Sequence, residues 1–176
     1  MKLVVVGTGY VGLVSALCFA EFGFDTICVD SNEERLGNLR KLKSPFFEPG
    51  IDDLLVKHIK ETKRVTLSNS ISESVINADI VFITVGTPSK RLEDEADLSA
   101  VYRVAEEVSN NINHYCIIVT KSTVPVGTTR KIKEIILKKV SKDKFDVVSN
   151  PEFLREGSAI NDFMRPDRVV IGTESK

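Results

Sequence analysis

Short apolar segments alternate with amphipathic segments along the whole chain. Seven of the apolar segments have the length of a β-strand, and they predict strands over residues 2–6, 26–29, 64–67, 79–85, 116–120, 145–149 and 168–171. Between them, apolar residues recur at the 3.6-residue period of a helix, most clearly from Leu98 to Val108 and from Ile132 to Val140. Because strands that alternate with helices form parallel sheets covered on both faces, the pattern predicts an α/β fold with a doubly wound, mostly parallel sheet.

A glycine-rich turn follows the first predicted strand. The segment Gly7-Thr8-Gly9-Tyr10-Val11-Gly12 fits the GxGxxG pattern that joins a strand to a helix in dinucleotide-binding folds. Gly7 allows the tight turn, Gly9 lets the backbone approach a pyrophosphate, and Gly12 permits close packing of helix on strand. The free N–H groups at the start of the helix then face the phosphates. The turn predicts a Rossmann-like sheet and a dinucleotide ligand.

Asp30 ends the second predicted strand, close to the spacing expected for a ribose-binding acid. A carboxylate there accepts hydrogen bonds from the 2′-hydroxyl of an adenosine ribose and repels a 2′-phosphate. The simpler interpretation, a glycine turn and a capping aspartate without a ligand, is disfavoured because strand, spacing and acid occur together. The sequence therefore favours NAD over NADP as cofactor.

The composition and the charge balance mainly exclude certain classes of partner. The 176 residues fit one domain, and 24 Lys and Arg balance 25 Asp and Glu without a strongly basic stretch, so we expect no nucleic-acid or membrane partner. The apolar runs are strand-sized and no signal peptide is recognised, so we expect no transmembrane helix and a cytoplasmic location. Residues 88–97 are charged without an apolar period and predict a solvated, mobile loop.

The cysteines and histidines give no candidate for nucleophilic or metal chemistry. Cys18, Cys28 and Cys116 lie in apolar contexts without a neighbouring His or Lys, so we expect all three in the core of a protein from a reducing compartment. His58 and His114 are far apart in the chain. We therefore predict no metal site.

Polar residues follow three later strands, where a ligand of an open parallel sheet binds. Thr87 follows the fourth predicted strand, Thr123 the fifth and Glu152 the sixth. Each alone has an ordinary interpretation as a turn hydroxyl or a first-turn helix acid. Together they indicate a site beside the nucleotide. Glu152 and Glu156 would share one face if their segment were helical, which suits a general base and an orienting group.

These segments resemble the N-terminal half of the UDP-glucose 6-dehydrogenase family, within a wider group that includes GDP-mannose and UDP-N-acetylmannosamine dehydrogenases. The resemblance extends over essentially all 176 residues. Its most specific motifs are Lys121-Ser122-Thr123-Val124-Pro125-Val126-Gly127-Thr128 and Asn150-Pro151-Glu152-Phe153-Leu154-Arg155-Glu156-Gly157. It also includes the glycine turn, Phe47-Glu48-Pro49-Gly50, Gly86-Thr87-Pro88 and Ala96-Asp97-Leu98-Ser99. The tail over residues 166–172 resembles the UDP-glucose branch more than the GDP-mannose branch.

The resemblance implies an oxidation of UDP-glucose to UDP-glucuronate in two steps, with two NAD and a thioester on a cysteine. By position, Thr123 would hold a catalytic water and contact the nicotinamide end, and Glu152 would act as general base or acid. Glu156 would contact cofactor and substrate. The implied cofactor contacts are Gly7, Gly9, Tyr10, Val11, Gly12, Asp30, Arg35, Thr87, Thr123 and Glu156. The implied substrate contacts are Glu152, Phe153, Leu154, Arg155 and Glu156. Many relatives have Lys at the position of Arg35.

The resemblance also implies that residues 1–176 are the dinucleotide-binding domain of a longer enzyme. The family's nucleophilic cysteine and its catalytic lysine and asparagine lie after the matched region, and none of the three cysteines here has the matching context. A linker helix, which usually forms a homodimer interface, and a UDP-sugar domain would follow, so we expect this part alone to be inactive. Two alternatives stay open: another nucleotide-sugar dehydrogenase, or an NAD-binding module without catalysis.

Overall fold

A computed structural model describes residues 1–89 and 96–175, so residues 90–95 of the predicted charged loop lie outside the described part. The strands are β1 (Lys2–Val6), β2 (Asp25–Val29), β3 (Val65–Ser68), β4 (Ile80–Ile83), β5 (Cys116–Thr120), β6 (Phe145–Ser149) and β7 (Gly172–Thr173). The α-helices are α1 (Tyr10–Glu21), α2 (Glu33–Arg40), α3 (Ile51–Leu55), α4 (Ile71–Ser74), α5 (Ser99–Asn111), α6 (Thr128–Leu137) and α7 (Ala159–Met164). A π-helical turn (Val56–Glu61) continues α3, and a 3-10 turn (Lys142–Lys144) precedes β6.

The strands form one seven-stranded sheet in the order β3-β2-β1-β4-β5-β6-β7. The pairs from β3 to β6 are parallel, and β7 runs antiparallel to its neighbour β6. The predicted doubly wound, mostly parallel α/β sheet is confirmed. Because β1 pairs with β2 on one side and with β4 on the other, the order in which strands are added to the sheet reverses beside β1, and a crevice is expected at the carboxyl ends of these strands.

The central strand β1 contributes to the hydrophobic core on both faces of the sheet. Val4 and Val6 pack with residues of α5 and α6 on one face. Leu3 and Val5 pack with α1 and α7 on the other. Because side chains of a strand alternate between faces, both sets of positions must be apolar in a sheet covered on both sides. This explains the continuous apolar run at the start of the chain.

The prediction of a strand over residues 168–171 is wrong, because β7 begins at Gly172, the residue after that range. Val169 and Ile171 are 63% and 65% exposed, so this apolar run is not a buried strand. The carbonyl oxygen of Val170 accepts a hydrogen bond from the side-chain Nδ2 of Asn150 at 2.9 Å. The two residues of β7 then pair with β6 at the edge of the sheet.

Other predictions agree with the structure to within a few residues. The helical period from Leu98 to Val108 is α5, whereas α6 ends at Leu137 and Val140 packs on the core beyond its end. The three cysteines are free and buried, as predicted, and burial raises the pKa of each thiol to about 12. Within residues 1–89 and 96–175, no helix has the length and apolar character needed to cross a membrane.

Candidate functional site

The glycine turn between β1 and α1 is fixed by the end of β4. The Thr84 hydroxyl donates to the carbonyl oxygens of Val6 and Gly7, at 2.8 and 3.0 Å. Gly7 has a φ of 105°, and a Cβ there would lie 2.8 Å from the Thr84 carbonyl oxygen, so only glycine fits. A Cβ on Gly9 would meet nothing within 4 Å. Gly9 is the N-cap of α1, and no side chain caps this helix, so open space lies beside its first turn.

Asp30 lies buried beside this turn. Its carboxylate accepts hydrogen bonds from the backbone N–H and the hydroxyl of Thr8 at 2.8 and 2.7 Å, and from the Asn32 N–H at 2.9 Å. The Arg35 guanidinium donates to it at 2.8 Å. Burial acts to raise the pKa of Asp30, but these hydrogen bonds outweigh burial and hold the pKa below its usual value. The structure thus places an ionised carboxylate at the edge of the open space.

A cleft of ≈ 450 Å³ extends from the glycine turn toward α5. Its lining includes five of the predicted or neighbouring site residues, namely Gly7, Gly9, Asp30, Arg35 and Gly86. It also includes Asn69, Arg103 and Glu107, which no sequence motif indicated because they follow β3 or lie on α5, far along the chain. The cleft fits the adenosine and pyrophosphate of a dinucleotide. It offers the buried acid Asp30, the uncapped start of α1 and open space at Gly9.

The loops after β4 and β5 are joined by hydroxyl groups. The Thr87 hydroxyl donates to the Thr123 carbonyl oxygen at 2.8 Å, and the Ser122 hydroxyl donates to the Val85 carbonyl oxygen at 2.7 Å. The Thr123 side chain itself is exposed. The structure therefore brings Thr87 and Thr123 together at one edge of the sheet.

Lys121, at the carboxyl end of β5, was not singled out from the sequence for a role. It is only 6% exposed. Its ammonium Nζ lies 3.2 Å from the Asn150 Oδ1 and 5.5 Å from the centre of the Phe163 ring. Burial lowers the pKa of this ammonium, and the charge of Glu152 acts in the opposite direction. A buried cation thus lies near Glu152.

The helix on which Glu152 and Glu156 would share a face is absent. Residues 151–155 have no regular structure, and Glu156 begins a turn. The Glu152 carboxylate accepts the backbone N–H of Leu154 at 2.6 Å, a local hydrogen bond that competes with helix formation. Gly157 ends the segment at a φ of 83°. The hypothesis of two acids on one helical face is wrong.

The side chains of Phe153 and Arg155 lie at the surface. The Arg155 guanidinium donates to both Asp162 carboxylate oxygens, at 3.0 and 2.7 Å, and this pairing lowers the pKa of Asp162 to about 2. Phe153 is 55% exposed, and the Arg168 guanidinium lies 5.7 Å from its ring centre. Within residues 1–89 and 96–175, no group of three or more His, Cys, Asp or Glu side chains could hold a metal ion.

Tyr10 and Glu48 form a second polar cluster near the start of α1. The Tyr10 hydroxyl donates to the Glu48 Oε2 at 2.6 Å. Burial and this hydrogen bond raise the pKa of Tyr10 to about 12, although the Gly157 N–H acts in the opposite direction. Sequence reasoning noted Glu48 only as part of a motif and assigned it no role.

Known proteins are similar to this chain over its whole length. Residues 1–176 match the NAD binding domain of the UDP-glucose/GDP-mannose dehydrogenase family. The chain is 48% identical over 174 residues to a UDP-glucose 6-dehydrogenase of Rhizobium meliloti, covering 99% of this chain and 40% of that protein.

Two solved structures are also similar. A UDP-glucose dehydrogenase from Pyrobaculum islandicum superposes with a TM-score of 0.92 at 38% identity, over 99% of this chain and 41% of that one. A GDP-mannose dehydrogenase from Pseudomonas aeruginosa, solved as a ternary complex, gives a TM-score of 0.91 at 34% identity, over 98% of this chain and 41% of that one. The chain spans about two fifths of the length of these relatives.

Proposed function

Because this chain belongs to the UDP-glucose/GDP-mannose dehydrogenase family, as its NAD-binding domain, we propose that the whole protein oxidises UDP-glucose to UDP-glucuronate in two steps with two NAD. The observation that carries the proposal is the common edge of the sheet, where the loops after β4, β5 and β6 carry Thr87, Thr123 and Glu152. NAD, when bound, takes up the electrons that leave the sugar C6.

The glycine turn and Asp30 hold the adenosine end of the cofactor in this proposal. Gly9, Val11 and the first turn of α1 would hold the pyrophosphate. The ionised Asp30 accepts from the adenosine ribose, and Arg35, which already donates to Asp30, lies against the same sugar. Thr87 and Thr123 lie at the nicotinamide end. Support comes from the buried acid, the open space at Gly9 and their common cleft.

Glu152 and Thr123 are the residues that we assign to proton transfer and to water binding. We assign Glu152 the general base or acid that takes the proton from the sugar hydroxyl, and Thr123 the hydroxyl that holds a water molecule. Support comes from the exposed Thr123 and from the position of Glu152 in the loop after β6, at the same edge of the sheet. Glu156 contacts cofactor and substrate from the turn before α7.

The segment from Glu152 to Glu156 forms one wall of the sugar site. Because its backbone is irregular, N–H and C=O groups can face a sugar. Phe153 and Leu154 supply apolar surface. The Arg155 guanidinium donates to Asp162 through Nε and Nη2, so we assign the contact of Arg155 with substrate to the guanidinium N–H groups that Asp162 does not use.

The thiol for the second oxidation comes from outside residues 1–176. Cys18, Cys28 and Cys116 are buried, and their pKa values of about 12 leave almost no thiolate at neutral pH. We therefore propose a two-domain cytoplasmic enzyme in which the part after this domain supplies the nucleophile, most UDP contacts and a linker helix that forms a homodimer. This domain alone binds NAD weakly and does not oxidise UDP-glucose.

A GDP-mannose dehydrogenase is the second candidate, because one solved relative with that activity has almost the same TM-score as the UDP-glucose enzyme. Sequence identity favours UDP-glucose, since relatives with that name reach 48% and the GDP-mannose enzyme 34%. Purified full-length gene product, assayed by NADH absorbance with UDP-glucose, GDP-mannose and UDP-N-acetylmannosamine, separates the candidates. Turnover of GDP-mannose alone would contradict our assignment, and turnover of none would favour a binding module.

The same assay tests the assigned residues. Thr123→Ala and Glu152→Gln should each lower kcat by about 100-fold, the size expected for general base chemistry. Glu134→Gln, which changes an exposed acid on α6, is the matched control and should leave kcat unchanged. A loss of only a few-fold in Glu152→Gln would show that another group takes the proton.

A further inference from the structure

Glu48 is a buried acid that the proposed reaction does not use. It is 3% exposed although it lies in a loop that contains two prolines. Its Oε2 accepts from the Tyr10 hydroxyl at 2.6 Å and from the Gly157 N–H at 2.9 Å, and its Oε1 lies 3.3 Å from the Ile160 N–H. None of the ion pairs found among the described residues involves Glu48. Hydrogen bonds therefore hold this carboxylate in place.

The three donors come from two distant parts of the chain. Tyr10 is the first residue of α1, directly after the glycine turn. Gly157 and Ile160 flank the start of α7, which receives no cap from the Ser158 side chain. The Tyr10 hydroxyl also lies 3.1 Å from both the Gly157 N–H nitrogen and the Arg155 carbonyl oxygen. One carboxylate thus connects the glycine turn to the end of the segment that carries Glu152.

Leu154 packs against the hydrophobic core, but among the described residues the segment has few other hydrogen bonds that anchor it. At its start, the Asn150 N–H donates to the Thr120 carbonyl oxygen of β5 at 2.9 Å. Near its end, the Arg155 N–H donates to Asp162, which lies on α7 itself. Between these points the Glu152 carboxylate bonds only within its own turn, to Leu154, among the residues described. Glu48 therefore connects the end of the segment, through hydrogen bonds, to the half of the fold that contains the glycine turn.

We propose that Glu48 is a positioning residue, which fixes the Glu152–Glu156 segment relative to the glycine turn and so sets where Glu152 stands against the cofactor. The inference rests on the role proposed above for Glu152. A general base works only within hydrogen-bond reach of its proton, and a shift of about 1 Å costs about 100-fold in rate. Glu48 acts through Tyr10 and Gly157 and touches neither substrate nor cofactor.

Kinetics of the full-length gene product test this inference. Glu48→Ala should lower kcat 10- to 100-fold and leave the KM for NAD within about two-fold, because the adenosine site around Asp30 is untouched. Glu48→Gln keeps one acceptor oxygen and should give an intermediate kcat. Asp53→Asn, an exposed acid just after the same loop, is the matched control and should behave as wild type. All assays are run well below the melting temperature of every variant.

Hydrogen exchange supplies a readout that a general loss of stability would not give. In Glu48→Ala, amides of residues 152–160 should exchange at least 10-fold faster, and those of β1, β2 and α5 should be unchanged. Full kcat with faster local exchange would overturn the positioning role. Uniformly faster exchange with a proportional loss of NAD binding would overturn it in favour of a general structural role.

Glu152→Gln, measured in parallel, separates this inference from the proposed function. If Glu152→Gln loses activity and Glu48→Ala does not, the role of Glu152 stands and the inference about Glu48 fails. If Glu152→Gln keeps full activity, the proposed role of Glu152 is wrong, and the inference that Glu48 affects catalysis by positioning Glu152 is wrong too.

Discussion

Gly12 packs directly against the carbonyl oxygen of Gly7. A Cβ built on Gly12 would lie 1.8 Å from that oxygen and 2.5 Å from the Thr84 hydroxyl oxygen. Both atoms are fixed, since the Thr84 hydroxyl bonds the carbonyl oxygens of Val6 and Gly7. The first turn of α1 is therefore in contact with the backbone of the glycine turn, and no side chain fits between them.

Substitutions at Gly12 and Gly9 should separate folding from binding. Gly12→Ala forces α1 away from the turn and should cost about 3 kcal/mol or more of the free energy of unfolding. Gly9→Ala has open space for its methyl group and should cost about 1 kcal/mol or less, yet that space is where the pyrophosphate would lie. Urea unfolding and NAD titration by calorimetry measure both effects. Wild-type NAD affinity in Gly9→Ala would contradict the proposed position of the pyrophosphate.

Asp30 should determine cofactor preference. Asp30→Ser removes an ionised acceptor for the ribose hydroxyls and the charge that repels a 2′-phosphate. A hydrogen bond to a charged group contributes about 1.5 to 3 kcal/mol, so the affinity for NAD should fall about ten-fold or more while binding of NADP improves. Asp25→Ser, an exposed acid at the other end of β2, is the control. An unchanged ratio of NAD to NADP affinity would show that Asp30 does not contact the ribose.

Asp30 should also contribute to the loss of stability in acid. Its pKa is lower in the folded protein than its ordinary value of 3.8, so below that value the unfolded chain binds more protons than the folded chain. The stability that Asp30 contributes is complete above the ordinary value and falls as the pH drops through the folded one. Urea unfolding from pH 6 to pH 2 should give a shallower decline for Asp30→Asn than for wild type. Parallel curves would contradict the hydrogen-bonded carboxylate.

Lys121 should reduce stability at neutral pH. Burial disfavours its charge, and Met has a similar length, so Lys121→Met should raise the free energy of unfolding by about 1 kcal/mol at pH 7. Because the folded pKa is lowered, wild-type stability rises with pH between that value and 10.5, and the advantage of Met should shrink there. Lys131→Met, at an exposed site, is the control. A destabilised Lys121→Met would show that the Asn150 contact outweighs the cost of burial.

The elements that could be predicted from the sequence are those whose signals are local. β1 is buried on both faces and is followed by glycines that the turn requires, so its apolar run and its end are both visible in the chain. The helical period of α5 is equally local. The position of Asp30 is equally local, since it directly follows β2 and accepts a hydrogen bond from the turn beside it.

The errors occur where distant contacts decide the local structure. Residues 169–171 are apolar like a strand, but they lie just before the short edge strand β7 and remain exposed. Glu152 bonds the Leu154 amide instead of joining a helix. Glu48 was missed as a functional candidate because its partners Gly157 and Ile160 lie 109 and 112 residues along the chain, and no periodicity reports such a contact.

The central position of β1 makes cofactor binding a property of the completed sheet. The turn that follows β1 is closed by Thr84, 77 residues further along, and its Gly7 N–H donates to Val29 of β2 at 2.7 Å. A partly folded chain that lacks β4 has no such turn. A bound nucleotide therefore stabilises the domain against global unfolding rather than against local opening, and the affinity for NAD serves as a measure of how much of a sample is fully folded.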